Sequence, residues 1–228
     1  GGINTVAQPT ALAENQAQQA DNVRLYSGEL RPWRGARREF VPDISGVLSI
    51  YRMIDAAGDS RWLTWSSEVD VAPGPSADLV DIRVYYTGDG TPKKTNKDLA
   101  FAGDGPYPAD YLEMGVPAPA SAPTVSAVAG SAPATETRAY VYTYISEFGS
   151  LDEESAPSPP SDLVTINANE AAQVGGFAAP PAGKYNITKI RIYRTITGAQ
   201  TGANYAFVAE IPVSQPSYTD DLKADQLG

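Results

Sequence analysis

The sequence predicts an all-β protein. Twenty glycines and nineteen prolines are spread through 228 residues, so no long helix is expected, because these residue types end helices. Hydrophobic residues make up 42% of the chain and charged residues 19%, which is enough apolar surface for a core. Short runs of alternating apolar and polar residues, bounded by Gly, Pro, Asp or Ser, indicate half-buried strands.

The chain begins with an extended arm over residues 1–9. Thr10 is a suitable cap for a short helix over roughly 11–22, whose small residues make a weakly apolar stripe. An isolated helix of this length is marginal in water. We therefore expect the helix to lean on another surface.

A basic segment follows at residues 24–41. Five arginines surround Trp33 there, in a chain whose net charge is −10. One interpretation is a solvated loop whose arginine stems cover the indole ring. The other is a contact surface, since Arg, Trp and Tyr are enriched at interfaces. The candidate interaction residues are Tyr26, Arg31, Trp33, Arg34, Arg37 and Arg38.

The first half of the chain should then form a small β domain. Four strands are expected, over residues 47–53, 61–65, 68–72 and 79–87. The last strand has one apolar face that should be buried, made of Val80, Ile82, Val84 and Tyr86. Two Gly-Asp-Gly triplets, at 88–90 and 103–105, lack the further ligands of a calcium loop and predict turns.

A linker rich in Pro, Ala and Ser at residues 115–124 predicts a domain boundary. Residues 1–117 are the expected assembly domain, blade-like or barrel-like, and residues 118–228 the expected sandwich. Strands of the second domain are predicted over 123–129 at an edge, 138–146, 162–167, 185–198, 205–211 and 217–221. This number of short strands within about 100 residues is typical of a β-sandwich.

Within the sandwich, Tyr140, Tyr142 and Tyr144 share one strand face and should pack in the core. The three prolines at 157, 159 and 160 should protect an edge against stray pairing. Residues 152–154, three consecutive acids, read as a solvated tip.

The composition limits the possible chemistry. The chain has no histidine and no cysteine, which excludes a Ser-His-Asp triad, a His or Cys zinc site and a disulfide framework. No phosphate loop or dinucleotide fingerprint occurs. Asp70 and Asp81 lie within strands and are the better candidates for acid chemistry, whereas the adjacent acids at 220–221 should be solvated. We expect no enzyme activity, no cofactor and no metal.

Charge and hydropathy also restrict the partners. Residues 1–117 carry 11 basic against 16 acidic side chains, and residues 118–228 carry 6 against 11. An acidic field over the whole chain opposes sequence-specific nucleic acid binding. No run approaches the roughly 18–20 apolar residues of a membrane span, so no membrane anchor is expected. The start at Gly1 without Met and the abrupt stop at Gly228 suggest part of a longer protein.

The second half resembles a fibronectin type III domain. IRIYRT (190–195), YAFVAEI (205–211) and SYTDD (217–221) are similar to that family's strand pair and its Tyr-x-Asp return. The stretch from 139 to 166 resembles the last two strands of such a domain, yet it precedes IRIYRT. The resemblance therefore implies an immunoglobulin-like or fibronectin-like sandwich with permuted strand order.

Nearly the whole chain resembles a family of bacteriophage virion proteins of the tail-nozzle, or tail tubular, kind. The similar stretches are GGINT (1–5), ALAENQAQQADNVRLYSGELRP (11–32), WLTW (62–65), EVDVAPGP (68–75), YYTGDGTPK (85–93) and LEMGVPAPASAP (112–123). The resemblance implies a structural subunit of a phage tail in the virion. It also implies a ring of copies around the DNA channel, hexameric as in the family, in contact with neighbouring tail or adaptor proteins.

Two other functions stay open at this point. A secreted or surface module that binds carbohydrate or a receptor would also suit a tyrosine-rich sandwich. An enzyme would need paired acids in a cleft and is the weakest of the three hypotheses.

Overall fold

We describe a computed structural model in residues 2–14, 16–21, 23–24, 31–33, 35–75, 82–196 and 204–228. Strands dominate these residues, and their single α-helix is one turn long, which confirms the predicted all-β class. Contacts divide the chain into two units, residues 1–41 and residues 42–228, and each is described by itself.

The first unit consists of short extended pairs. Its elements are β1 (Gly2–Ile3), a 3-10 turn (Pro9–Ala11), β2 (Gln16–Ala17), β3 (Val23–Arg24) and β4 (Arg31–Pro32). β1 pairs with β2 in parallel, and β3 pairs with β4 antiparallel. None of its described side chains is buried.

The predicted helix over residues 11–22 is wrong. Residues 9–11 form the 3-10 turn and Gln16 begins a strand. The small apolar stripe has nothing in this unit to bury against, and propensity alone does not hold so short a helix. Side-chain amides hold the segment extended instead: Asn4 Oδ1 accepts the Val6 and Ala7 N–H groups, and Gln18 Nε2 donates to the Ala7 carbonyl at 2.6 Å.

The second unit begins with a small β region. Its elements are β5 (Ser49–Ile54), β6 (Ser60–Trp65), β7 (Asp70–Pro73), β8 (Arg83–Thr87), β9 (Lys93–Asn96), α1 (Lys97–Ala100) and β10 (Leu112–Glu113). β5 and β6 form a two-stranded hairpin, and the others form an antiparallel sheet in the order β10-β9-β8-β7. The core here consists of Met53, Leu63, Trp65, Val84, Tyr86 and Ala100.

The four strands predicted in this region are confirmed within a few residues. Val84 and Tyr86 are buried as expected, while Val80 and Asp81 lie outside the described residues. Both Gly-Asp-Gly triplets are turns with left-handed glycines. At Gly88 (φ 101°) a Cβ atom would lie 2.1 Å from the Glu68 carbonyl oxygen, so only glycine fits.

Strand β9 was not foreseen, because KKTN has the composition of a solvated loop. All four of its residues are buried. Lys93 pairs with Asp89 and lies 4.4 Å from the Tyr111 ring, and Lys94 pairs with Glu153. Buried lysines are tolerated here because each has a carboxylate partner.

The remaining strands build the sandwich. They are β11 (Thr124–Ala129), β12 (Glu136–Arg138), β13 (Tyr140–Phe148), β14 (Leu151–Glu154), β15 (Val164–Ile166), β16 (Glu170–Gly175), β17 (Ile187–Thr195), β18 (Tyr205–Pro212) and β19 (Ser217–Asp220). One sheet has the order β11-β16-β19 and the other β14-β13-β17-β18, while β12 pairs with β15. A 3-10 turn, Ala224–Gln226, follows the last strand.

The sandwich core confirms the tyrosine prediction. Tyr140, Tyr142 and Tyr144 are at most 1% exposed and pack with Ile190 and Ile192. Of the two strands compared above with the last two fibronectin strands, β13 precedes β17 and pairs with it, whereas the returning strand predicted at 162–167 is β15, which pairs with β12. The expected edge strand at 123–129 is β11, at the edge of its sheet.

The central strand of the three-stranded sheet, β16, escaped the sequence reading. Its sequence EAAQVG has one β-branched residue and two buried alanines, Ala171 and Ala172. Small residues give little strand signal. A small side chain suits Ala171, because Gly130 lies so close that a Cβ atom on the glycine would come within 2.4 Å of the Ala171 Cβ atom.

A segment with a serine at every third position covers the edge of β13 that faces away from β17. Its serines are Ser155, Ser158 and Ser161. Ser158 donates its N–H to the Tyr142 carbonyl at 2.9 Å, and its Oγ accepts the Tyr142 N–H at 3.1 Å. The other two serines make the same pair of bonds with Tyr144 and Tyr140. The three prolines expected to protect an edge lie between these serines and, lacking N–H groups, cannot extend the sheet.

The acids at residues 152–154 are not a loop tip, although Asp152 and Glu154 are exposed as predicted. These residues belong to β14 and pair with β13. Glu153 reaches buried Lys94 in the preceding β region, and Arg83 Nη2 donates to Ser150 Oγ at 2.8 Å. The two β regions of the second unit thus have separate cores and shared ion pairs. The domain boundary at residues 117 and 118 stays a prediction.

Candidate interaction surface

The basic segment of the first unit is solvent-facing where it is described. Trp33 is 54% exposed, and the Arg24 guanidinium lies 4.8 Å from its ring centroid. Arg37 and Arg38 are exposed. Arg31 lies in β4, and Tyr26 and Arg34 lie outside the described residues. The arginine that covers the indole is thus Arg24, and the interaction role of the six candidates stays a prediction.

Exposed apolar side chains concentrate at the N-terminal end of the chain. Among the described residues, seven of eleven exposed large hydrophobic residues lie between positions 3 and 54: Ile3, Val6, Trp33, Val41, Leu48, Ile50 and Ile54. Single exposed apolar residues are common on any protein. Four of the seven lie in the first unit and three in the second, and each group marks a candidate contact region of its own unit.

The hairpin β5–β6 carries the apolar row of the second unit. Met53 and Leu63 point into the core, while Ile50 and Ile54 are 57% and 45% exposed on the opposite face. Arg52 lies between them, 5.8 Å from the Trp62 ring, and its Nη2 donates to Ser60 Oγ at 3.2 Å. The sequence predicted this strand, but its alternation could not show that Ile50 and Ile54 would stay exposed while Thr64, opposite Ile50, is buried.

Among the described strands, β5 pairs only with β6, so one of its edges has no partner strand in that part of the chain. Asp55 N–H bonds the Asp59 carbonyl at the end of the hairpin. Since hydrogen-bonded positions alternate, the backbone groups of Ile50, Arg52 and Ile54 point away from β6. An exposed edge with an apolar row is a template for another strand.

The two units differ in charge. Residues 1–41 contain five arginines against four acidic residues, whereas residues 42–228 contain 12 basic against 23 acidic residues. The first unit is therefore slightly positive and the second strongly negative.

The sandwich holds a buried ionic cluster around Asp220. Its Oδ2 atom accepts hydrogen bonds from Arg194 Nη1 at 2.9 Å, Arg138 Nη1 at 3.3 Å and the Tyr140 hydroxyl at 2.7 Å. Burial and the adjacent carboxylate raise the pKa of Tyr140, so its phenol stays protonated. The expected solvation of the acids at 220–221 is wrong for Asp220, which is 0% exposed.

A second ionic network lies on the outer face of the four-stranded sheet. Arg191 bonds Glu154 and Glu210 at 2.8 Å each, and the Tyr193 hydroxyl donates to Glu154 at 2.6 Å. Burial raises the pKa of Glu154, but bonds from Tyr193, Thr143 and Arg191 outweigh it and lower the pKa below its ordinary value. Burial and Glu154 raise the pKa of Tyr193 to about 12. These acids are engaged in structural pairs.

A small aromatic pocket lies in the first β region. Its volume is about 130 Å³, and it is lined by Ile44, Thr64, Trp65, Tyr86, Asp89, Pro106, Tyr107, Pro108 and Tyr111. Trp65 and Tyr86 are nearly buried, whereas Tyr107 and Tyr111 are half-buried. The volume admits at most a single small ring or side chain.

Asp70 is exposed in β7, and Asp81 lies outside the described residues. Within the described part of the chain, no three Asp or Glu side chains come together in a way that could hold a metal ion. No helix in that part is long and apolar enough to cross a membrane.

Scans of the chain against family models, curated proteins and solved structures found no match.

Proposed function

We propose that the protein is a structural subunit of a bacteriophage tail that assembles with copies of itself into a closed ring around the DNA channel. The proposal of self-assembly rests on the exposed apolar side chains in residues 3–54. In addition, no described side chain of the first unit is buried. Such a unit gains little by folding alone. It gains apolar burial by docking on another subunit.

The assignment to a phage tail rests on the sequence resemblance. The acidic body agrees with a conduit, because negative walls repel the DNA phosphates and leave few sites where DNA would stick. The two ionic networks and the serine-covered edge brace the sandwich. A rigid domain of this kind suits an architectural role.

The first test is the mass and shape of the assembled protein. Native mass spectrometry and negative-stain electron microscopy of the full chain should give closed rings at an integral multiple of 24.1 kDa. A tail subunit should also bind purified tail or adaptor proteins of the same phage. A chain that stays at 24.1 kDa at every soluble concentration, with and without these proteins, contradicts the proposal.

The aromatic pocket favours a second candidate, a module that binds carbohydrate. The tyrosine row of β13 cannot serve as a sugar platform, because its rings are in the core. Tyr107 and Tyr111, which line the aromatic pocket, are the candidate rings for stacking on a sugar. Glycan binding that is lost in Tyr107→Ala, in a protein that stays monomeric, would favour this function over the ring.

A further inference from the structure

We propose that the aromatic pocket of the first β region binds a single neutral pyranose ring, held by the Trp65 indole N–H, the Tyr86 hydroxyl and the Asp89 carboxylate. The inference rests on the second candidate function and names its ligand class and its polar contacts. All the lining residues belong to the second unit, so the site applies to a monomer and to a ring alike.

The pocket lining contains two hydrogen-bond donors without a partner. Trp65 is 6% exposed and Tyr86 is 2% exposed. Neither the Trp65 Nε1 atom nor the Tyr86 hydroxyl bonds to any residue within the described ranges. Nearly buried Trp N–H and Tyr O–H groups usually have a hydrogen-bond partner. Both side chains line the pocket, so we infer that oxygen atoms of a ligand supply the missing acceptors.

Asp89 supplies a hydrogen-bond acceptor at the same pocket. It lies in the first Gly-Asp-Gly turn, between β8 and β9, and Lys93 Nζ donates to its main-chain carbonyl and, at 2.7 Å, to its Oδ2 atom. None of the described residues donates to Oδ1, which leaves that oxygen for a ligand that can donate. Burial and the nearby Asp89 carboxylate raise the pKa of Tyr86, so the phenol stays protonated and can donate.

The second Gly-Asp-Gly turn fixes an aromatic ring of the lining. The Tyr107 hydroxyl donates to the Gly103 carbonyl at 3.1 Å. Phe101 packs edge-on against the Tyr107 ring, with 6.0 Å between the centroids. The half-buried ring is therefore held in position before a ligand arrives, which lowers the entropic cost of binding.

The chemistry of the lining selects a hydroxylated ring. A hydroxyl group both donates and accepts, so the hydroxyls of a pyranose can serve the two donors and Asp89 while its C–H groups meet the aromatic rings. A proline ring would also suit the aromatic lining, but a proline has no N–H group to donate to Asp89. The volume of about 130 Å³ admits one ring.

The charges beside the pocket are paired, which favours a neutral ligand. Asp89 pairs with Lys93, and Asp110 pairs with Lys184. The two ammonium groups lie 4.4 and 4.5 Å from the centroid of the Tyr111 ring. A uronic acid would bring a second carboxylate to Asp89 and should bind more weakly than the neutral sugar, because like charges repel.

Titration of the full chain with methyl glycosides of glucose, galactose, mannose and N-acetylglucosamine, followed by heteronuclear NMR, tests the assignment. The Trp65 indole N–H signal should shift with at least one of them. Tyr86→Phe removes one hydroxyl and should weaken binding by roughly 2- to 13-fold, at an unchanged melting temperature. Tyr85→Phe is the matched control: adjacent residues of a strand point to opposite faces, and Tyr85 does not line the pocket. It should bind like the wild type.

The outcomes separate this site from the candidate function. Sugar binding that leaves the Trp65 signal unmoved and is equal in Tyr86→Phe and the wild type keeps a carbohydrate function but overturns the pocket as its site. No binding to the glycosides overturns the pocket assignment, and no binding to a glycan array either overturns the candidate function as well. Stronger binding of hexaproline or methyl glucuronide than of every neutral glycoside overturns the ligand class.

Discussion

Replacing Ser158 by alanine tests how the edge of β13 is held. The Ser158 Oγ atom accepts the Tyr142 N–H at 3.1 Å, and Tyr142 is 0% exposed. The substitution removes that acceptor from a buried amide, which costs about 1–3 kcal/mol. For a chain of this size each kcal/mol lowers the melting temperature by roughly 2–4 °C, so we expect a decrease of roughly 2–12 °C.

The measurement is thermal unfolding followed by circular dichroism, with Ser126→Ala as the control. Ser126 lies exposed on β11, where such a change should alter stability by less than about 0.5 kcal/mol. Amide hydrogen exchange gives the site-specific result: Tyr142 should lose protection in Ser158→Ala. Equal melting temperatures for the two variants, with Tyr142 still protected, would refute the role of the serine hydroxyl.

Three further outcomes follow from the ionic and apolar contacts. Asp220→Ala removes the carboxylate that pairs with buried Arg194 and leaves buried Arg138 with Glu136 alone, and it should cost about 3–5 kcal/mol in urea unfolding, whereas the exposed control Asp225→Ala should change little; equal midpoints would contradict the buried cluster. Glu154 has a pKa below its ordinary value of 4.5, so the unfolded chain binds more protons in acid; its contribution is complete above that value and is lost as the pH falls through the folded pKa. The melting temperature of Glu154→Gln should therefore depend less on pH in acid than that of the wild type, and parallel curves would count against this assignment. Ile50→Glu should weaken self-association without lowering the melting temperature, because the side chain is 57% exposed; a lower melting temperature with unchanged mass would place Ile50 in the fold instead.

Much of the second unit could be predicted because alternation and turn residues act locally. β17 and β18 alternate side chains of greater and lesser burial, β13 carries tyrosines at every second position from 140 to 144, and glycines mark the turns around 88 and 103. β9 and β16 could not be found in this way. Buried lysines depend on carboxylates distant in sequence, such as Glu153, and buried alanines depend on how closely neighbouring strands approach.

The candidate surface was predicted only in part. Composition pointed to the arginines around Trp33, because that signal is local. The apolar row of Ile50 and Ile54 was not visible in the sequence, since a strand with two apolar faces is usually buried on both. The structure was needed to show that Ile50 and Ile54 are exposed. The helix at 11–22 failed for the related reason that its stability required a partner surface.

The most direct measurement of the central claim is the assembled mass of the wild type beside Ile50→Glu/Ile54→Glu, determined by light scattering under identical conditions. The account predicts rings for the wild type and a 24.1 kDa monomer with an unchanged circular dichroism spectrum for the variant. Equal masses for the two proteins, whether both are assembled or both are monomeric, would contradict assembly through the N-terminal apolar surface.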